Sequence, residues 1–285
     1  MLRSLLQLVV IFLLVLTVAG APLMIGIRGE AITIQPESFV IHTVKLLEDI
    51  SSGSLGTYYL GENEREIAED IWRYAENSFF LLFSSMLIAV GISIVFGIFL
   101  HRFGPVRIVQ RFFDVMSTIP DFVQVLFALT LAISFYKWTG IRLVTLSPFS
   151  ENKSFWFPVL VLSLGPTLYL LKLVTLKYYQ TSAEDYIRTA LAKGLNVWHI
   201  NLHHVFKNIK PFLIADLKKA ISVSLANLFM VEYLLNVVGV TRFIFGGYQF
   251  NAVAIGLFIL LVLSTVVYLS IRLILYVFER GLVYE

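Results

Sequence analysis

Residues 78–100 read SFFLLFSSMLIAVGISIVFGIFL, 23 positions without a charged side chain. A helix rises 1.5 Å per residue, so this run would measure about 35 Å, enough to cross a hydrocarbon core of roughly 30 Å. It shows no period-two alternation. In hydrocarbon every backbone N–H and C=O must be paired within its own helix or a closed barrel, so the run reads as a transmembrane helix. Five further apolar stretches, at 5–25, 115–136, 156–176, 217–238 and 251–274, have the same character. The predicted fold class is all-α: one polytopic membrane domain with six transmembrane helices.

Composition agrees. The 285 residues are 58% hydrophobic and 14% charged, against roughly 45–50% and about 25% in a soluble domain. The 24 Phe, 13 Tyr and 4 Trp suit lipid contact and aromatic belts at the membrane interfaces. A net charge of +3 is modest, and basic residues in a membrane protein report orientation, so no nucleic-acid partner is implied. The absence of cysteine excludes disulfides, thiolate metal ligands and cysteine nucleophiles.

Lysine and arginine set the orientation. With the N-terminus placed in the cytoplasm, Arg3, Arg102, Arg107, Arg111, Lys172, Lys177, Arg188, Lys193, Lys207, Lys210, Lys218, Lys219, Arg272 and Arg280 fall inside, 14 of the 22 basic residues. Arg28, Lys45, Arg65, Arg73, Lys137, Arg142, Lys153 and Arg242 fall outside. Both termini are therefore expected in the cytoplasm. Residues 1–30 read as an N-terminal transmembrane helix, 31–77 as an extracytoplasmic segment bearing Glu62, Glu64, Glu66, Glu69 and Asp70, and 78–285 as a five-helix core. The short charged start and the small residues of 17–21 also fit a signal peptide, but the apolar run continues to Ile27, longer than a signal's hydrophobic region.

Between the fourth and fifth stretches lies TSAEDYIRTALAKGL, residues 181–195. It reads as a short helix over about 182–194. Ser182 can cap its start, Asp185 can reach back to the capping amide, and Glu184 and Asp185 favour the positive end of the helix dipole. Lys193 complements the negative end, and Gly194 supplies the left-handed residue that commonly stops a helix. Too short and polar to span, it is expected parallel to the membrane on the cytosolic side. An amphipathic helix on lipid headgroups would look the same by these signals alone.

The run from Asp185 to Leu195, with His204 to Asn208 and Pro211 after it, resembles the cytoplasmic loop of the permease subunits of bacterial dipeptide and oligopeptide ATP-binding cassette importers. Gly53-Ser54-Leu55-Gly56-Thr57, Glu76-Asn77-Ser78, Ile119-Pro120 and the stretch from Glu232 to Gly239 are similar to further patterns of that family. The resemblance implies a type I importer fold and a coupling helix that docks on an ATPase subunit. Asp185, Tyr186, Arg188, Thr189, Ala190, Lys193, Gly194 and Leu195 would form the docking face and its cap. Small Ala190 and Ala192 permit close approach, and Tyr186 and Leu195 offer apolar anchors. It further implies a second permease subunit, two cytosolic ATPase subunits or domains and an extracytoplasmic solute-binding protein as partners, with peptide or a related solute such as a nickel chelate as cargo. The chain departs from the family in lacking the usual paired arginines and proline-glycine-aspartate around its first span, and in carrying Val238 where proline is usual.

No Gly-x-x-x-x-Gly-Lys-[Ser/Thr] loop is present, so the chain is expected to bind no cofactor, with ATP and magnesium held by the partner ATPases. No Ser/His or zinc-protease constellation marks an enzyme, and the chain reads as a transport subunit. Glu232 and Asp121 are carboxylates within apolar stretches and are candidates for the substrate path; a loop cap, or an ion pair such as Glu232 with Arg242, is the plainer reading. Pro120 is expected to kink the third span. His199, His203 and His204 could place two ligands on one helical face, but no carboxylate partner is evident and no metal site is assigned. A gradient-driven secondary transporter or a membrane scaffold is the alternative; the first would usually show an internal repeat, and none is visible.

Overall fold

The computed structural model describes residues 2–28, 31–100, 111–143 and 155–282. Arg102, Arg107 and Lys153 lie outside these residues. The chain divides into two compact units, Met1–Ser78 with Val238–Leu263, and Phe79–Val237 with Ser264–Glu285.

The first unit begins with α1 (Leu2–Gly20) and a 3-10 turn (Ala21–Met24) at Pro22, followed by the antiparallel hairpin of β1 (Ile25–Arg28) and β2 (Ala31–Ile34). Helix α2 (Pro36–Ser51) starts with proline at its first position, where the missing N–H costs nothing. Gly53 and Gly56, both left-handed with φ of 86° and 79°, turn the chain into a second antiparallel hairpin of β3 (Thr57–Leu60) and β4 (Asn63–Glu66). A side chain at Gly56 would meet Asn251 Nδ2 at 2.8 Å, so glycine is needed there for space as well as conformation. The all-α expectation is thus corrected to a mostly helical fold with two small hairpins. The first begins at Ile25, where the expected first helix ends after the Pro22 turn, and the second lies in the polar stretch after α2, between Gly56 and α3. The unit's core joins Leu16, Ala19, Leu46, Tyr58, Ile67, Phe243, Phe250 and Ala254.

In the second unit, the π-helical turn Val95–Phe99 follows α3 (Ile67–Ile94), whose residues contribute to both units. The expected third span is not continuous. Residues 111–116 are helical, the chain turns at Ser117–Ile119, and α4 (Asp121–Thr139) starts afresh with Pro120 at its N-cap, φ −54° and ψ 140°. Pro120 begins a helix instead of kinking one, because proline drives the residue before it out of helical geometry. Helix α5 (Trp156–Ser182) carries Pro166 inside. After α6 (Asp185–Ala192), the turn Val197–His199 and π-helical Ile200–Phe206 lead into α7 (Lys207–Leu234). Helices α8 (Val240–Phe245) and α9 (Phe250–Leu282) complete the chain.

Among the described residues, four helices are long and apolar enough to cross a membrane: Ile67–Phe99, Asp121–Thr139, Trp156–Ser182 and Phe250–Gly281. The first expected span appears as a shorter apolar stretch, Val9–Met24. The fifth lies in α7, whose apolar half also carries Lys218, Lys219 and Glu232. Glu232 is fully buried. Lys218 lies over the Tyr268 ring at 5.5 Å and Lys219 over Tyr169 at 4.8 Å, so aromatic faces cover these ammonium groups.

Candidate functional site

Helix α6 is the predicted short helix, reduced to eight residues and about 12 Å. Ser182 does not cap it. The serine is the last residue of α5 and its hydroxyl donates to Tyr179 O at 3.2 Å, because α5 runs past its apolar portion. Glu184 stands at the N-cap in extended conformation, without a capping side-chain hydrogen bond. The C-terminus follows the sequence reading. Gly194 is left-handed at φ 77°, its N–H donates to Leu191 O at 2.9 Å, and Leu195 N–H donates to Ala190 O at 3.3 Å. These two bonds form a Schellman motif, which satisfies carbonyls the helix end would otherwise leave open.

The helix has two faces. Ile187 and Ala190 are buried, and α6 packs on the π-helical segment Ile200–Phe206. Asp185, Tyr186, Arg188, Thr189, Lys193, Gly194 and Leu195 are exposed. Ala190, grouped in the sequence reading with the outward residues, seats the helix instead. Arg188 and Asp185 form a loose i, i+3 pair at 3.4 Å with both side chains in solvent, an arrangement contributing little. Tyr186 presents its ring outward while its hydroxyl accepts from Asn208 Nδ2 at 3.0 Å. Partial burial, and then the charge of Glu184, raise the Tyr186 pKa, so the hydroxyl stays protonated at physiological pH.

Beneath α6 lies a buried knot that the sequence did not reveal. Asn201, in the π-helical segment, donates through Nδ2 to Ile98 O at 3.2 Å and accepts at Oδ1 from the Tyr178 hydroxyl at 3.3 Å. One amide thereby joins the segment carrying α6 to the ends of α3 and α5. Gly97 lets the backbone close on α5: a Cβ there would lie 2.7 Å from Val174 Cγ1. Phe99 stacks on Trp198 at 5.5 Å, and Asn196 caps the turn by accepting from Trp198 N–H at 3.1 Å. Buried polar contacts of this kind rigidify, because breaking one leaves unsatisfied groups in a dry interior. The only available signal was asparagine amid apolar neighbours.

The histidines cluster only in part. His199 and His203 have ring centroids 4.0 Å apart and His204 lies 6.3 Å from His199, and no group of three metal-ligating side chains assembles among the described residues.

The substrate-path candidates differ in setting. Glu232 is fully buried. Asp121 is partly exposed at the first position of α4 and accepts from Asn227 Nδ2 of α7 at 3.3 Å. In the first unit, Asn77 Nδ2 donates to Val238 O at 2.6 Å and Ser78 Oγ accepts from Val240 N–H at 2.8 Å. Two weak sequence patterns, one at 76–78 and one ending at Gly239, are therefore direct partners.

Long apolar helices and a polar helix held outside them define a polytopic membrane protein with a surface for contact. The chain belongs to the family of binding-protein-dependent transport system inner membrane components, which matches residues 89–283, more than half of its length. It is also similar to the dipeptide transport system permease protein DppB of Bacillus subtilis (strain 168), at 22% identity over 241 residues, covering 81% of this chain and 74% of that protein. It is thus a permease component of an ATP-binding cassette importer in the cytoplasmic membrane. It is not an enzyme; separate subunits of the importer complex hydrolyse ATP.

Proposed function

We propose that this chain is one of two permease subunits of a peptide importer, and that α6 is the coupling helix through which an ATPase subunit drives it. The observation that carries the reading is the two-faced seating of α6: Asp185, Tyr186, Arg188, Thr189 and Lys193 outward, Ile187 and Ala190 inward on a segment tied through Asn201 to α3 and α5. A push on the outer face would pass through the seat and the Asn201 knot into both spans without first melting the helix. Gly194 and Leu195 close the helix end, so the docking face keeps its shape under load. Closure of two ATPase domains on ATP and magnesium would convert an inward-open path to an outward-open one. An extracytoplasmic binding protein would then release its solute into it. Peptide as cargo follows from the likeness to the dipeptide permease.

The topology proposed has six spans, α1, α3, α4, α5, α7 and α9, with both termini inside. The covered charges of α7 support its inclusion, since ionisable groups inside membranes face protein rather than lipid. The β3–β4 hairpin and α8, both in the first unit, fall in segments the basic-residue bias assigns to the outside.

Because the chain has no cysteine, one introduced thiol is a unique probe. Thr189→Cys in the assembled transporter should cross-link to the ATPase subunit through a short thiol-directed reagent, whereas Thr57→Cys should not. Cross-linking of Thr189→Cys to lipid alone, with ATPase present in the sample, would refute the docking assignment.

A further inference from the structure

The turn at Ser117–Ile119 leaves Asp121 at the start of α4, beside the middle of two other helices. Asp121 reaches Asn227 of α7, and a Cβ added at Gly165 of α5 would lie 3.7 Å from Asp121 Cγ and 3.0 Å from Asn227 Nδ2. At 1.5 Å per residue, Gly165 is about 14 Å along α5 from Trp156, and Asn227 about 10 Å along α7 from Leu234. The cluster therefore sits at membrane depth. No cation pairs with Asp121 among the described residues.

A second acceptor is close in the sequence. Gln124, on the same face of α4 at i+3, is 3% exposed and donates through Nε2 to Met116 O at 3.2 Å and Ile119 O at 2.9 Å. With both donors spent on holding the turn, its Oε1 is buried and finds no partner among the described residues. A buried acceptor left open costs about 1–3 kcal/mol unless a donor arrives. The amino end of α4 offers about half a positive charge, which offsets only part of the full charge on Asp121. The place is rich in acceptors and net negative, and the missing side chain of Gly165 leaves Asn227 and Asp121 the room to approach α5.

We propose that Asp121, Gln124 and Asn227 form a subsite for a protonated primary amine, such as the amino terminus of a peptide in transit. An ammonium carries three donors and one positive charge, which answers the carboxylate and the open amide oxygen together. The site rests on the reading of this chain as a solute path.

The test uses the purified transporter complex in nanodiscs and saturation-transfer NMR with two probes, L-alanyl-L-alanine amide, which is a cation, and its neutral N-acetyl form. The amine should bind and the acetylated form should not. Asp121→Asn keeps the size of the side chain and should weaken amine binding at least about tenfold, while Asp121→Glu, which keeps the charge, should retain it within a fewfold. Equal binding of the two probes, or undiminished amine binding by Asp121→Asn, would overturn the proposal. Purification of the chain without ATPase subunits would instead defeat the importer reading, and the two failures are read from different measurements.

Discussion

Replacing Gly194 separates the intrinsic stability of α6 from its contact with a partner. The residue sits at φ 77°, and a Cβ built on it meets nothing within 4 Å. Gly194→Ala therefore introduces no clash and acts through backbone conformation alone. An L-residue in the left-handed region costs about 1–2 kcal/mol, and the reduced freedom of the unfolded chain returns a few tenths to about 1 kcal/mol for alanine. A net loss of about 1 kcal/mol should fall on the Schellman bonds from the Gly194 and Leu195 amides. Hydrogen exchange at residues 190–195 should then quicken roughly fivefold, with α5 and α7 unchanged. Gly194→Asn should cost less, because asparagine tolerates this region. Unchanged exchange in Gly194→Ala, or equal effects of Ala and Asn, would refute the reasoning.

Three further outcomes are expected. Gly97→Ala should lower thermal stability in detergent by about 1–3 kcal/mol, because its Cβ would press on Val174 Cγ1; Val174→Ala should recover part of that, and Gly91→Ala, which meets nothing within 4 Å, should be neutral or stabilising by up to about 1 kcal/mol. Lys210 and Glu279 form an ion pair with side chains only 12% and 14% exposed, so Lys210→Met or Glu279→Leu alone should cost on the order of 3 kcal/mol and the double variant less than either, which equilibrium unfolding of all four proteins would measure. Tyr58 donates to Asp70 Oδ2 at 2.6 Å, and burial, followed by that bond, raises its pKa above the ordinary 10. The folded form holds the proton that the unfolded chain releases, so this contribution is present below pH 10 and lost as pH rises above it; Tyr58→Phe should flatten that part of the stability profile between about pH 9 and 11.

The apolar runs were legible because hydrocarbon demands long uninterrupted helices, and Gly194 because a left-handed stop has a one-residue signature. Helix starts were harder. Ser182 looked like a cap, yet α5 extends through it, since nothing in Lys177 to Ser182 breaks a helix even where it stops being apolar. Pro120 lay inside an apolar run and so read as a kink; whether proline bends a helix or begins one depends on Ile119 and the turn that the Gln124 side chain holds by bonding back to Met116 O and Ile119 O. The two π-helical segments had no local signal and the Asn201 knot only the asparagine itself, because the partner Ile98 is about a hundred positions away. The Asp121 site was half visible: the carboxylate stood out, whereas its partner Asn227 and the close approach at Gly165 required the fold.

The most direct test of the central claim is copurification from native membranes, comparing the intact chain with a variant carrying both Gly194→Asp and Arg188→Glu. The account expects an ATPase pair and a second permease with the intact chain, and loss of the ATPase from the variant. An intact, stable chain that brings down no ATPase, or a variant that retains it in full, would contradict the assignment of α6 as the coupling helix.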